Sequence, residues 1–246
     1  MFRRDDRVVA QTLSRPERPG PVLGAILAGG ASRRYGSDKA LAMLNGAPLL
    51  HWVVTRVQPQ VDRLVISGTA RRGFPFPVIA DSVKDAGPLS ALCAILGRAE
   101  QEGFPLVALF SCDTPFVPLN IVGDLRAALD GCDCAVAGRS GAMHPTFALW
   151  DVRAREKVET AFAIGVRSLR DAVACVNSTL VDFSALHHGP GGDPFFNINS
   201  PDDMDVARAW LGEPARMRAE GTLDAVGRGG SMCHIGQKPM SLPEHR

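Results

Sequence analysis

An α/β sandwich in three layers around one mostly parallel sheet is the fold this sequence predicts, and three observations carry the prediction. Short uninterrupted apolar runs recur along residues 21–212, as strands covered on both faces require. Between them lie stretches whose apolar residues fall at helical spacing. The first run, Val22–Leu27 (VLGAIL), stops at the pair Gly29-Gly30, where a strand would turn out into a loop.

The elements follow in order. After the first strand, Pro48–Val57 reads as a helix, Leu64-Val65-Ile66 as a strand and Val78-Ile79 as a short one. Pro88 opens a helix through about Ala99, with proline where the first turn has no use for its missing N–H. Leu106–Phe110 is a buried strand, Asn120–Leu129 a helix, and Ala135–Ala137 and Thr146–Trp150 two further strands. Helices around Arg153–Phe162 and Ser168–Ala174, a strand at Val176–Val181 and a helix over Pro201–Leu211 complete the pattern. The final helix starts after Ser200, with Asp202 and Asp203 placed to favour its positive end. One domain over 21–212 is expected, flanked by flexible extensions at 1–20 and 213–246, where no periodicity is sustained.

Composition narrows the function classes. Apolar residues make up 46% and charged residues 22%, the proportions of a folded domain rather than a disordered or fibrous chain. The net charge is +1, and residues 21–212 hold 17 bases against 19 acids, so neither nucleic acid nor an anionic membrane is an expected partner. No apolar stretch approaches the length of a membrane span, and residues 1–20 lack the apolar region of a targeting signal, which predicts a cytoplasmic protein. The six cysteines have no paired CxxC spacing and read as buried reduced thiols rather than a zinc site.

In an open α/β sheet, ligands gather beyond the carboxyl ends of the strands. Four segments there carry polar chemistry. Leu27–Lys39 (LAGGASRRYGSDK) combines three glycines with Arg33, Arg34 and Lys39, which suits a loop holding an anion; the plainer reading is a glycine-rich turn with solvated bases. It is neither a Walker A motif nor GxGxxG. Asp81, followed by Gly87-Pro88, can accept from a base or sugar, or serve as a turn residue. Asp113, directly after a buried strand, stands where a carboxylate can hold a hard divalent ion near phosphates; capping of the helix near residue 120 is the competing role, weakened by Pro115 and Pro118. Asn197 and Asn199, two residues apart, would face the same way along an extended segment.

LAGGASRRYGSDKAL, GPLSAL, CDTPFVP, HPTFAL and FFNINSPDDM together resemble, in the same order and over roughly residues 22–211, the molybdenum cofactor guanylyltransferase family. The resemblance implies a Rossmann-like nucleotidyltransferase architecture. It also implies Mg2+-dependent transfer of GMP from GTP to the phosphate of molybdopterin, free or metal-loaded, with release of pyrophosphate. Leu27, Ala28 and Gly29 match that family's backbone contacts to guanine and ribose, and Gly30, Arg34 and Lys39 its triphosphate loop. Asp81 matches a nucleotide contact, Ser67 stands where a contacting asparagine can occur, and Asp113 matches the metal-binding aspartate. The acceptor side implied is His144, Pro145, Arg167, Ser168, Asn197 and Asn199. On this reading Asp113, Lys39 and Arg34 are the catalytic residues, and molybdoenzyme maturation proteins are partners downstream. Transfer from CTP or to another phosphate acceptor is the nearest alternative, and a non-catalytic nucleotide-binding accessory protein the alternative of another class.

Overall fold

Val22–Leu27 (β1) lies in the interior of the sheet, and its sequence says why: side chains on both faces are buried. Val22 and Ile26 face one hydrophobic layer, while Leu23 and Ala25 face the other. Gly24 is small by necessity, because a Cβ there would come within 2.9 Å of the Val61 side chain. The computed structural model describes residues 20–29, 38–71, 73–83 and 86–212. The expectations for the terminal extensions, and for Gly30 and Arg34, fall outside these residues.

Arg63–Ser67 (β4) and Leu106–Ser111 (β6) flank β1 in parallel register, with Leu27 opposite both Ser67 and Ser111. Val78–Ile79 (β5) extends the sheet beyond β4. On the other side come Ala142–Asp151 (β8), Cys134–Arg139 (β7) and Ser178–Asp182 (β9), giving the order β5-β4-β1-β6-β8-β7-β9. Only β8 runs antiparallel to its neighbours. It follows β7 through a two-residue turn in which Ser140 and Gly141 both have positive φ (49° and 78°), the geometry that twists correctly into a hairpin. The pairing of β7 with β8 slips between Val136 and Ala137, whose partners are Ala148 and His144. The residues passed over include Pro145, which has no N–H to give a ladder.

Helices Leu49–Val57 (α1) and Ile121–Ala128 (α3) cover one face of the sheet, and Pro88–Gln101 (α2), Arg155–Ala163 (α4) and Leu169–Ala174 (α5) the other. Pro201–Gly212 (α6) closes a smaller cluster in which Met204 and Ala207 meet Leu44, Leu49, Phe116 and Ile198. The sheet is mostly parallel and the layers are three, as the sequence predicts. A small hairpin between Met43–Leu44 (β2) and Ala47–Pro48 (β3) was not anticipated, although Asn45-Gly46 is its signal and both residues have positive φ. The thiols are not uniformly buried: Cys93, Cys112 and Cys134 are, whereas Cys132 is half-buried, Cys175 is exposed and Cys233 lies outside the described residues. No described helix is long and apolar enough to cross a membrane.

One histidine is held neutral. Arg56 on α1 donates through Nε to the Val117 carbonyl (2.6 Å) and through Nη2 to His188 Nε2 (2.8 Å), so the imidazole proton belongs on Nδ1. Burial first, then the Arg56 charge, hold His188 below its ordinary value of 6.5. Stability that depends on the neutral ring is present above that ordinary value and is lost as pH falls through the lowered one, because the unfolded chain then binds the extra proton. Chemical denaturation at pH about 7.5 and about 5 should show a loss of stability that shrinks in His188→Gln.

Candidate active site

The six parallel strands end at one edge of the sheet, and the antiparallel β8 begins there. Every candidate residue among those described follows a strand at that edge or packs beside it. At the end of β1, Ala28 N–H donates to the Ser67 carbonyl (3.1 Å), and the exposed Gly29 follows. Gly68, with φ +119°, approaches so closely that a Cβ on it would stand 3.0 Å from Gly29 N. Beyond β5 comes Asp81, whose Oδ1 accepts from Ser67 Oγ at 3.3 Å, while its Oδ2 lies 4.0 Å from where a Gly29 Cβ would be. Ser67 is 1% exposed, so its hydroxyl acts on Asp81 rather than on solvent. A buried serine on α2 steadies the same loop: Ser90 Oγ accepts from Val83 N–H (2.7 Å) and donates to its carbonyl (2.9 Å).

The second cluster forms after β6. Lys39 Nζ is 2.7 Å from Asp113 Oδ2 and 2.6 Å from Asn199 Oδ1, joining residues 74 and 160 positions apart. Ser111 Oγ donates to the other carboxylate oxygen of Asp113 at 2.5 Å, and Thr114 Oγ1 lies 3.4 Å from it. Both members of the ion pair are mostly enclosed, Lys39 at 14% and Asp113 at 15% exposed. Asp113 does not cap α3, whose first residue follows Asn120. Its carbonyl accepts from Ile198 N–H (3.0 Å), which fixes Asn199 beside it. Asp203 completes the support, accepting from the N–H groups of Asn199 and Ser200 at 2.8 Å each. Residues 195–199 form no strand, but the wholly buried Ile198 separates two exposed asparagines; Asn199 reaches Lys39 and Asn197 faces outward.

The thiol next door is inert: burial first, then the Asp113 charge, push Cys112 up to about 12. Among the described residues no group of three His, Cys, Asp or Glu side chains gathers as a metal cluster.

Of the residues expected on the acceptor side, Asn199 touches Lys39, whereas His144, Pro145, Arg167 and Ser168 make contacts of their own. His144 stacks on Phe195 with centroids 4.5 Å apart and planes 27° from parallel, and Phe147 and Phe183 support Phe195 from behind. Burial lowers the His144 pKa, opposed by Asp193 and reinforced by Arg139 and Arg170, which favours a neutral ring. Pro145 lies in the irregular pairing of β8. Arg167 bends back, donating to the Phe162 and Val166 carbonyls (2.7 and 2.8 Å) and lying over the Phe162 ring. Its own carbonyl receives Leu89 N–H at the start of α2. Ser168 caps α5, accepting from Asp171 N–H at 3.1 Å. None of these bonds from Arg167 or Ser168 touches the Lys39–Asp113 pair.

Sequence reasoning missed Asp38, Gly68, Arg71 and Ser111. Asp38 lies inside the glycine-loop motif with no role assigned to it, and caps the turn Lys39–Leu41, its Oδ1 accepting from Ala40 N–H (3.1 Å). Arg71 comes from an arginine pair in a loop, where nothing in the sequence distinguishes a buried base from a solvated one.

The MobA-like NTP transferase domain family matches residues 24–179. A molybdenum cofactor guanylyltransferase from Rhizobium leguminosarum bv. trifolii is 38% identical over 196 residues, covering 77% of this chain and 93% of its own. Its counterpart from Cereibacter sphaeroides is 36% identical over 204 residues, covering 79% and 99%. Among solved structures, molybdopterin-guanine dinucleotide biosynthesis protein A from Archaeoglobus fulgidus superposes with a TM-score of 0.62 at 25% identity, covering 77% of this chain and 98% of its own. A 2-C-methyl-D-erythritol 4-phosphate cytidylyltransferase from Thermus thermophilus shares the fold, with a TM-score of 0.57 at 17% identity, covering 76% and 97%.

Proposed function

Because this chain belongs to the MobA-like NTP transferase family, we propose that it transfers GMP from GTP to the terminal phosphate of molybdopterin, forming molybdopterin guanine dinucleotide and pyrophosphate. The observation that carries the reading is the contact of Lys39 Nζ with Asp113 Oδ2, which joins the end of the glycine loop to the carboxylate after β6. A cytoplasmic setting, where GTP is held, goes with it.

The reaction sets one anion against another. An acceptor phosphate oxygen bonds to the α-phosphorus as the bond to pyrophosphate breaks, and the electron pair leaves on the departing oxygen. That acceptor oxygen is already ionised, so no general base is needed. The protein's part is to position the reactants and offset charge. Gly29 and Gly68 bring backbone close enough for a flat base to lie against it, and Asp81, steadied by Ser67, accepts from the base or ribose. Lys39 stabilises charge on the leaving pyrophosphate, with Arg34 and Gly30 assigned to the same triphosphate. His144 and Pro145 start the acceptor side, with Arg167, Ser168 and Asn197 bordering it.

The donor set suits Mg2+: a carboxylate oxygen and an amide oxygen already share one cation, and this ion takes one or two protein oxygens while keeping several waters. Asp113 and Asn199 would hold it, and bound there it would offset the charge of the phosphates.

The test is incubation with each of the four nucleoside triphosphates, Mg2+ and metal-loaded molybdopterin, with mass analysis of the product. A guanylylated product is expected. A cytidylylated product, or none with any nucleotide, overturns the reading.

A further inference from the structure

One side chain ties the end of β1 to the turn that carries Lys39. Arg71, from the loop between β4 and β5, donates through Nη2 to the Ala28 carbonyl (2.5 Å) and to Asp38 Oδ1 (3.2 Å). Its Nε donates to Asp38 Oδ2 (2.7 Å) and its Nη1 to the Thr69 carbonyl (2.9 Å). The side chain is only 5% exposed. A guanidinium this enclosed is stable only when its donors are met, and here a two-pronged carboxylate and two carbonyls meet them. A lysine, with one compact ammonium, could not span the same acceptors.

The consequence runs along the backbone. Asp38 immediately precedes Lys39 and caps the turn that carries it, so fixing Asp38 fixes the base of the Lys39 side chain. Fixing the Ala28 carbonyl sets where the other end of the loop departs from β1, beside Gly29 and Asp81.

We propose that Arg71 is a positioning residue for the transfer reaction, a staple that ties the Ala28 carbonyl at the end of β1 to Asp38 and thereby holds Lys39 against Asp113. This rests on the reading of Lys39 as the group acting on the triphosphate, although the staple itself can be tested without turnover.

Two measurements test it. In the guanylyl transfer assay, R71M and R71K both lower kcat by about 10²-fold, the loss that follows from misplacing a catalytic group by about an ångström. In a K39M background, R71M costs nothing further, because Arg71 acts through Lys39. A merely structural role would lower the melting temperature and add its loss to that of K39M, and rescue by R71K would show that charge alone suffices; either result overturns the proposal. The second measurement is the rate at which acetic anhydride modifies Lys39, followed by peptide mass analysis. It rises several-fold in R71M and R71K, and stays raised in the double variant R71M/D38N, where no carboxylate is left stranded. Wild-type acetylation rates in all three variants also overturn it. If the wild type transfers no guanylyl group while acetylation still responds, the functional reading fails and the staple stands.

Discussion

Replacing Asp113 by alanine is expected to lower turnover by about 10²-fold or more, the scale of losing one preorganised group that stabilises developing charge. Pyrophosphate release from GTP and molybdopterin, measured at saturating Mg2+, is the direct check. The argument is local. Asp113 is anchored by Ser111, by Thr114 and through its carbonyl by Ile198, so its carboxylate is built to stay put. Removing it also leaves Lys39 with Asn199 as its one remaining partner of the two, and an ammonium free to wander is a poorer partner for a leaving group. Asp113→Asn keeps the shape and loses the charge, so it should fall close to the alanine variant. Near-normal Mg2+-dependent turnover in either variant would refute the assignment.

Lys39→Met should be comparably damaging to turnover, and it carries a second expectation about stability. Without the ammonium, the Asp113 carboxylate keeps its charge in a wall where it is only 15% exposed. Breaking a buried pair from one side costs about 3–5 kcal/mol, and the residual exposure here brings the expected figure down to about 1–3 kcal/mol. Removing both charges together is different, because no unpaired ion remains. The double variant Lys39→Met with Asp113→Asn should therefore be more stable than Lys39→Met alone, although both are inactive. Urea denaturation of the four proteins in this cycle gives the coupling directly; a double variant less stable than either single one would contradict it.

The buried strands and the layers were legible because burial on both faces leaves a plain signature: VLGAIL, LVALF and the run around Ala135 admit few other readings. Asp113 and Lys39 were legible as separate residues, each at a strand-end segment with the right chemistry. Their meeting was not, since no local pattern encodes a contact across 74 positions. Arg71 shows the limit most sharply. In the sequence it is one of two adjacent arginines before a glycine, and only the folded chain makes it a buried fork. Asn45-Gly46 is the opposite case, a strong turn signal passed over because its strands are only two residues long. Arg167 and Ser168 fall between these cases: the positions were identified, but their side chains turn out to serve the helix ends beside them.

The partnership of Lys39 with Asp113 bears on what can bind beside it. A polyanion arriving alone can pull the ammonium over, but only by abandoning a carboxylate to two hydroxyl groups. A bare divalent ion can claim the oxygens of Asp113 and Asn199, but only by evicting a positive neighbour into its own repulsion. A visitor bringing both signs in one package trades a single neutral couple for two, and incurs neither penalty. If the site works as proposed, admission would thereby be biased toward the metal salt of a nucleotide over either ion by itself, a selectivity that comes from charge conservation rather than from shape.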